Sequence, residues 1–472
     1  MSKKFVSTIT SQTEDFAKWY TDVCMKAELM SYSDVKGFII YRPYGYAIWE
    51  NIQQYLNTKF KQTGHDNVYL PLLIPESLFQ KEKDHVDGFA PETAMVTTTG
   101  KEELTERLII RPTSEVLFCT HFKSIVQSHR DLPKKYNQWC SVVRWEKTTR
   151  PFLRGKEFLW QEGHTIHATE QEAKDETMGM LSIYETLGKE LLAIPFVTGR
   201  KTEKEKFAGA EATYSIEALM PDGQALQSGT THYFGQGFAK AFDISYRDQE
   251  NQEQFVYQTS WGVSTRLLGA IIMVHGDDDG LVMPPYVAPT QIVIVPISND
   301  EDVLTTAHDI YNGLKDQYRV SFDTSDKSPG WKFSEYEMKG VPVRIEIGKR
   351  DLTLNMVTVA TRYNREKKQV LKEDVVQMMP SLLQSIHESM YDKAQQYVNK
   401  NTYYVSNYDE FKARIKSGGY VAMSVHPEAE AIVKADTQAT ARVIPFDQSQ
   451  LESTCPVTGK KASQVIMFAR AY

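Results

Sequence analysis

The sequence predicts an α+β chain in three parts: a long first domain on a mostly antiparallel sheet, an α/β domain, and a small α/β module at the C-terminal end. Three observations carry this. From about residue 104 to 275, short apolar strands alternate with polar turns without the regular helices of βαβ units. A proline-rich break, Pro284-Pro285-Tyr286-Val287-Ala288-Pro289, follows. Beyond it, strand and helix patterns alternate. The expected boundaries are 1–286, 287–378 and 379–472.

Taken in order, Ile48, Ile52, Tyr55, Leu56 and Phe60 recur at helical spacing, Gly64 closes that helix, and 67–75 reads as one extended strand with prolines at an edge. Strands are expected at 108–110, 139–144, 157–162, 212–218 and 223–227, then a helix over about 262–275 that buries Leu267, Leu268, Ile271, Ile272 and His275. After the break come a strand at 291–296, a helix marked by Val303, Ala307, Ile310 and Leu314, and strands at 343–347 and 357–362. A helix from Pro380 to about Lys400 leads to a short helix through Tyr408, Phe411 and Ile415, closed by Gly418-Gly419 before a strand at 420–425.

Composition excludes several classes. A chain of 472 residues is too long for one core, and 41% hydrophobic with 24% charged residues is ordinary for a globular protein. A net charge of −7 argues against a nonspecific nucleic-acid coat, though a local basic patch can still steer RNA. No apolar run approaches the roughly 20 residues of a membrane helix, and the first 20 residues lack the apolar core of a signal peptide. Cys24, Cys119, Cys140 and Cys455 are scattered without a CxxC pair, which predicts neither a disulfide framework nor a four-thiolate zinc site and fits a reducing cytoplasm.

Several residues could carry chemistry. Arg144, inside an otherwise apolar strand, is expensive unless paired with an anion. Its partner is either Glu146 or Glu162, or a substrate phosphate and carboxylate; its neighbours favour the latter. Phe158 and Trp160 share a strand face, as core or, for Phe158, as a stacking surface for a purine. Arg154 and Lys156 form a basic loop that suits a γ-phosphate or a solvated turn. Arg266 opens a helix after Trp261-Gly262-Val263-Ser264-Thr265, where helix N-termini attract anions. Thr113 and Glu115 read as a cap and first-turn acid, or as a seat for a substrate ammonium. Gln227, Thr230 and His232 occupy strand-end positions near glycine, with His232 as a hydrogen-bond partner. No GxSxG surrounds Ser114 and no P-loop or GxGxxG occurs, so these folds' usual devices are absent. Residues 276–280 (GDDDG) lack the ligand spacing of an EF-hand and read as an acidic turn. The expected pocket holds a nucleotide polyphosphate beside a small ammonium compound.

The stretch from Gly64 to Pro71, Arg144-Trp145-Glu146 with Phe158, and the stretch from Gly262 to Arg266 fall in the order of the three class II aminoacyl-tRNA synthetase motifs. Within that class, 111–115 (RPTSE), 151–163 (PFLRGKEFLWQEG), 227–232 (QSGTTH) and 261–269 (WGVSTRLLG) resemble the signatures of prolyl-tRNA synthetases. The resemblance implies a class II synthetase-like catalytic domain, an anticodon-binding-like α/β domain and a C-terminal domain. It implies a ligase that activates L-proline with ATP to prolyl-adenylate and transfers it to the 3′ end of tRNA(Pro). By that resemblance Thr113, Glu115, Arg144 and His232 bind proline. Arg144, Glu146, Arg154, Phe158, Gln227, Thr230 and Arg266 bind ATP, with Arg144 and Arg266 catalytic and Gln227 helping to place Mg²⁺. Arg344, Glu346, Lys349 and Arg350 are anticodon candidates, and a cytoplasmic homodimer is implied.

Two departures from the family pattern stand out. Only about 60 residues separate the second motif from Gln227, so the large editing insertion of the bacterial type is missing and the organisation resembles the archaeal and eukaryotic type. That type often binds zinc through four C-terminal cysteines, whereas only Cys455 remains here, so zinc is not expected. The terminal Ala469-Arg470-Ala471-Tyr472 resembles the family tail, whose last tyrosine approaches the active site. The rival readings are a threonine-specific relative, whose zinc-ligand pattern RPTSE does not match, and a non-catalytic RNA-binding relative, which would lack Arg144 and Arg266.

Overall fold

The seven-stranded sheet that carries the site runs, in spatial order, Asp66–Asn67, Lys134–Val143, Glu157–His167, Tyr257–Ser264, Ala225–Gly235, Ala212–Leu219 and Val197–Arg200. Only the first pair is parallel. The computed structural model describes residues 9–85 and 92–472. The helices Pro43–Gln62, Glu170–Leu187 and Arg266–His275 pack together on one face of the sheet. Alternation along Glu157–His167 shows why one face is core and the other is not. Gln161 accepts a hydrogen bond from Tyr184 on the helix side (2.7 Å), while Trp160 and Glu162 line a cavity on the other. Gly163 lies on the helix side, where a Cβ would sit 2.1 Å from the Trp261 ring; that ring instead packs on Phe60 at 4.9 Å.

Several expected elements shift. The single strand over 67–75 is two: Asp66–Asn67 joins the large sheet, and Leu73–Pro75 is the edge of a three-stranded sheet beside Glu102–Ile110. The strand placed at 223–227 is Ala225–Gly235, so Gln227, Thr230 and His232 lie within a strand rather than at its end. The helix expected from 262 starts at Arg266, because Tyr257–Ser264 pairs on both sides as a central strand. The helix expected from Pro380 starts at Val375 and runs to Lys400 with Pro380 inside it. Proline forfeits a backbone bond there, but Val375, Met379, Leu383 and Ile386 are buried along the same helix, and packing overrides propensity. The boundary expected at 378/379 therefore falls inside one continuous helix.

Beyond the break, the sheet order is Val320–Phe322, Ile292–Pro296, Val343–Ile347, Met356–Thr361 and Lys367–Leu371; the first three strands are parallel and the rest antiparallel. The C-terminal module has four strands, Thr402–Tyr404, Tyr420–Val425, Gln464–Ala469 and Thr440–Val443. No described helix is long and apolar enough to cross a membrane.

Two joints tie these parts together. Asp277, in the acidic turn, accepts Arg362 Nη1 and Nη2 at 2.8 and 2.6 Å and Arg365 Nη2 at 2.9 Å. Burial works to raise this carboxyl, but the bonds from Arg362 and Arg365 outweigh it and hold it at about 2. Asp277→Ala leaves the buried Arg362 without its counter-charge and is expected to cost about 3 kcal/mol, read as a lower urea midpoint. Because the folded value is depressed, that difference from wild type is full at neutral pH and vanishes as pH falls through about 2. The second joint is main chain. Arg200 N–H donates to Ile444 O (3.0 Å) and Ile444 N–H to Arg200 O (2.7 Å), while Ala225 N–H donates to Arg470 O (2.7 Å) and Tyr472 N–H to Ala225 O (3.1 Å). The C-terminal module thus completes the outer edge of the seven-stranded sheet.

Candidate active site

Strand register writes the floor of the cavity. Ser215, Thr230, Gly262, Glu162 and Gln138 are aligned across five strands, and His232, Ser260 and His164 form the next row. Residues two apart share a face, so both rows point the same way. Gly262 stands in the middle of the first row, where a Cβ would lie 2.8 Å from the backbone oxygen of Gln161. The cavity volume is about 270 Å³.

One wall comes from the helix Glu115–Ile125. The Thr113 hydroxyl donates to the Glu115 carboxylate, which is buried. Burial pushes Glu115 above the usual carboxylate range and Glu162 adds to this, against an opposing pull from His164. Glu162 is the reverse case. Burial would raise it, but bonds from His164 (3.1 Å), the Ser114 hydroxyl (2.5 Å) and the Gln138 amide (2.9 Å) hold it below its ordinary value. Glu162 is thus a satisfied carboxylate, whereas Glu115 gains from a cation placed in the cavity.

Arg144 donates through Nε to Pro112 O (3.0 Å) and lies 5.5 Å from the Phe158 ring and 5.4 Å from the Trp160 ring. Its Nη atoms make no hydrogen bond among the described residues. Arg266 is fixed by Nε to Leu153 O (3.1 Å) and Nη1 to Gln227 O (3.1 Å). Burial, with Arg154 and Arg144 nearby, lowers it to about 10, so it stays charged at neutral pH. His232 sits between two hydroxyls, Thr213 Oγ1 at Nδ1 (2.9 Å) and Thr230 Oγ1 at Nε2 (3.0 Å). Burial drives it down to about 3, so it is a neutral hydrogen-bonding wall and no proton carrier at neutral pH.

Thr113, Glu115, Arg144, Phe158, Gln227, Thr230, His232 and Arg266 therefore face one cavity. Two expected residues do not. Arg154 is exposed and lines an adjoining cleft with Arg150, Arg266 and Tyr472. Glu146 sits in the loop outside the cavity and acts on Arg144 through its charge. Among the anticodon candidates, Arg344 and Glu346 are 6% and 8% exposed and bonded to each other at 2.9 Å, with Arg344 stacked 4.3 Å over Phe333. Lys349 and Arg350 are exposed, Lys349 reaching Asp300 at 3.0 Å. Sequence reasoning missed Lys201, Glu205, Phe207 and Ser260 as lining residues, and treated Trp160 and Glu162 only as core or as a partner for Arg144. The alternation Phe158, Trp160, Glu162, His164 carried the signal for two of them, Trp160 and Glu162. The edge loop with Lys201 and Phe207 had none, because strand pairing alone brings it there.

Comparison with known proteins bears on this geometry. The model "tRNA synthetase class II core domain (G, H, P, S and T)" matches residues 97–275, an anticodon binding domain matches 291–382, and "Prolyl-tRNA synthetase, C-terminal" matches 408–472. The chain is 59% identical to the proline–tRNA ligase of Onion yellows phytoplasma over 99% of both chains. It is 57% identical to that of Ruminiclostridium cellulolyticum over 100% of this chain and 99% of the other. The chain belongs to the prolyl-tRNA synthetase family. A crystal structure of prolyl-tRNA synthetase from Cryptosporidium parvum, complexed with halofuginone and AMPPNP, superposes with a TM-score of 0.95 at 37% identity, over 100% of this chain and 99% of that one. The activity is proline–tRNA ligation, with ATP, proline and tRNA(Pro) as substrates. The class II architecture with its anticodon-binding and C-terminal domains is as the sequence implied.

Proposed function

We propose that the cavity holds proline and ATP side by side, joins them as prolyl-adenylate with release of pyrophosphate, and passes the prolyl group to the 3′ end of tRNA(Pro) with release of AMP. The observation that carries this is the open pair of Arg144 Nη groups in one cavity with Glu115 and Arg266. Proline's ammonium goes to Glu115 and Thr113, against the neutral His232 wall. Its carboxylate meets Arg144, which also meets the α-phosphate; the adenine stacks on Phe158. The carboxylate is already ionised, so the first step needs no general base, only alignment and charge stabilisation. The AMPPNP in the Cryptosporidium relative supports a nucleotide here. Mg²⁺ would arrive on the triphosphate and offset its charge, with the Gln227 amide oxygen as an uncharged ligand; Glu217 is already taken by Lys201 and Arg442.

Proline-dependent ATP–pyrophosphate exchange, run across the twenty amino acids, tests this reading. Proline should dominate, and exchange driven best by another amino acid would overturn it. Proline affinity should also depend on pH through Glu115. Burial raises this carboxyl, so lowering the pH protonates it and removes the partner of the ammonium. The KM for proline should therefore rise as pH falls through the raised Glu115 value, and Glu115→Gln should lose that slope.

The same reading takes 1–286 as catalytic and 287–378 as anticodon-binding, with Lys349 and Arg350 as its exposed contacts, followed by the 379–472 region. It places a homodimer in the cytoplasm. Tyr69, 70% exposed, and Leu72, 41% exposed, sit beside the open edge strand Asp66–Asn67 and suit a second copy. Light scattering should give twice the chain mass of 54.0 kDa.

A further inference from the structure

We propose that Arg442, on the C-terminal module, is a positioning residue for the phosphate end of the cavity: it holds Glu217, Glu217 holds Lys201, and Lys201 with Arg266 receives a substrate phosphate. The proposal rests on the cavity assignment above and deepens it.

Lys201, Glu217 and Arg442 are 2%, 0% and 7% exposed. Lys201 Nζ lies 2.7 Å from Glu217 Oε1, which also accepts the Ser215 hydroxyl at 3.0 Å. Arg442 donates to Glu217 Oε2 through Nε at 3.1 Å and Nη2 at 2.9 Å. One buried carboxylate thus carries two cations. Glu217 pairs in register with Gln227, the residue whose carbonyl anchors Arg266. Lys201, Arg266 and Glu205 line the cavity. The charges that act on Lys201 and Arg266 are those of Arg442, Arg144 and Arg154 against those of Glu217 and Glu205, so cations outnumber carboxylates around this pair. A buried excess of positive charge is costly until an anion joins it, and a phosphate supplies that anion. Arg442 lies outside the lining, and its strand Thr440–Val443 belongs to the C-terminal sheet, so the charge balance of the cavity depends on a different part of the chain from the one that binds substrate.

Two substrates carry phosphate: ATP, through its triphosphate, and tRNA, through its terminal phosphodiester. Arg442→Met in the full chain leaves Glu217 paired with Lys201, and Arg442→Lys restores the charge. KM is measured for ATP and for proline by pyrophosphate exchange, and for tRNA by aminoacylation. We expect Arg442→Met to raise the KM of ATP or of tRNA by about tenfold, to leave that of proline unchanged, and to be largely rescued by Arg442→Lys. A rise for ATP assigns the triphosphate; a rise for tRNA alone assigns the phosphodiester. Lys201→Met, which keeps Glu217 paired with Arg442, must raise the same KM. Unchanged KM values for both phosphate substrates, in a variant that still exchanges with proline, overturn the relay and leave the cavity assignment intact. A loss shared by all three substrates, with a lower melting temperature and no rescue by Arg442→Lys, reduces the cluster to a structural joint and also overturns the proposal.

Discussion

Arg144→Ala is expected to lower proline-dependent pyrophosphate exchange by about 10²–10³-fold while the protein stays folded. Arg144 spends one donor on Pro112 O, lies over the Phe158 and Trp160 rings, and leaves its Nη groups to the cavity. On the proposed reading, removing it takes away the cation that meets both proline's carboxylate and the α-phosphate, where the two negative groups must approach. The loss belongs to the transition state, so kcat should fall more than either KM rises. Circular dichroism and thermal melting should be close to wild type, because the lost contacts are one bond to a carbonyl and two ring contacts, and a desolvated cation is removed with them. Exchange within about threefold of wild type would remove Arg144 from the chemistry.

Glu115→Gln is expected to raise the KM for proline by about 30-fold, or roughly 2 kcal/mol, with the KM for ATP nearly unchanged. The amide keeps the shape and accepts the Thr113 hydroxyl, so the wall of the cavity stays in place. What disappears, on the proposed reading, is the buried negative charge that faces the ammonium. Glu162 cannot substitute, since Ser114, Gln138 and His164 already occupy its oxygens. An unchanged proline titration would place the ammonium elsewhere in the cavity.

The two variants rest on residues that the sequence exposes for different reasons. Arg144 announces itself as a charge in an apolar strand, and Glu115 as an acid at a helix start after a rigid Arg-Pro. Both are local irregularities, and local irregularity is what a single sequence displays. Glu162 was weaker in signal because a strand with alternating Phe158, Trp160, Glu162 and His164 is also what a half-buried sheet looks like; only the rows formed with Gly262 and Gln138 show which face is the floor. Lys201 and Arg442 lie more than 200 residues apart and meet only because residues 200 and 444 pair across the sheet edge. Element boundaries failed where packing outvoted local preference, as at Pro380, and where a central strand absorbed residues assigned to a helix start, as at 262–264.

That edge pairing also bears on how the molecule is made. Val197–Arg200 leaves the ribosome long before Ile444 and the tail that bonds Ala225. At roughly 5–20 residues per second, the interval is about 10–50 seconds. Through that time the border of the sheet lacks its last neighbour and Glu217 lacks one of its two cations. A product of interrupted translation that stops before this stretch would carry the three synthetase motifs yet lack both the backbone partner of Arg200 and the arginine that bonds Glu217.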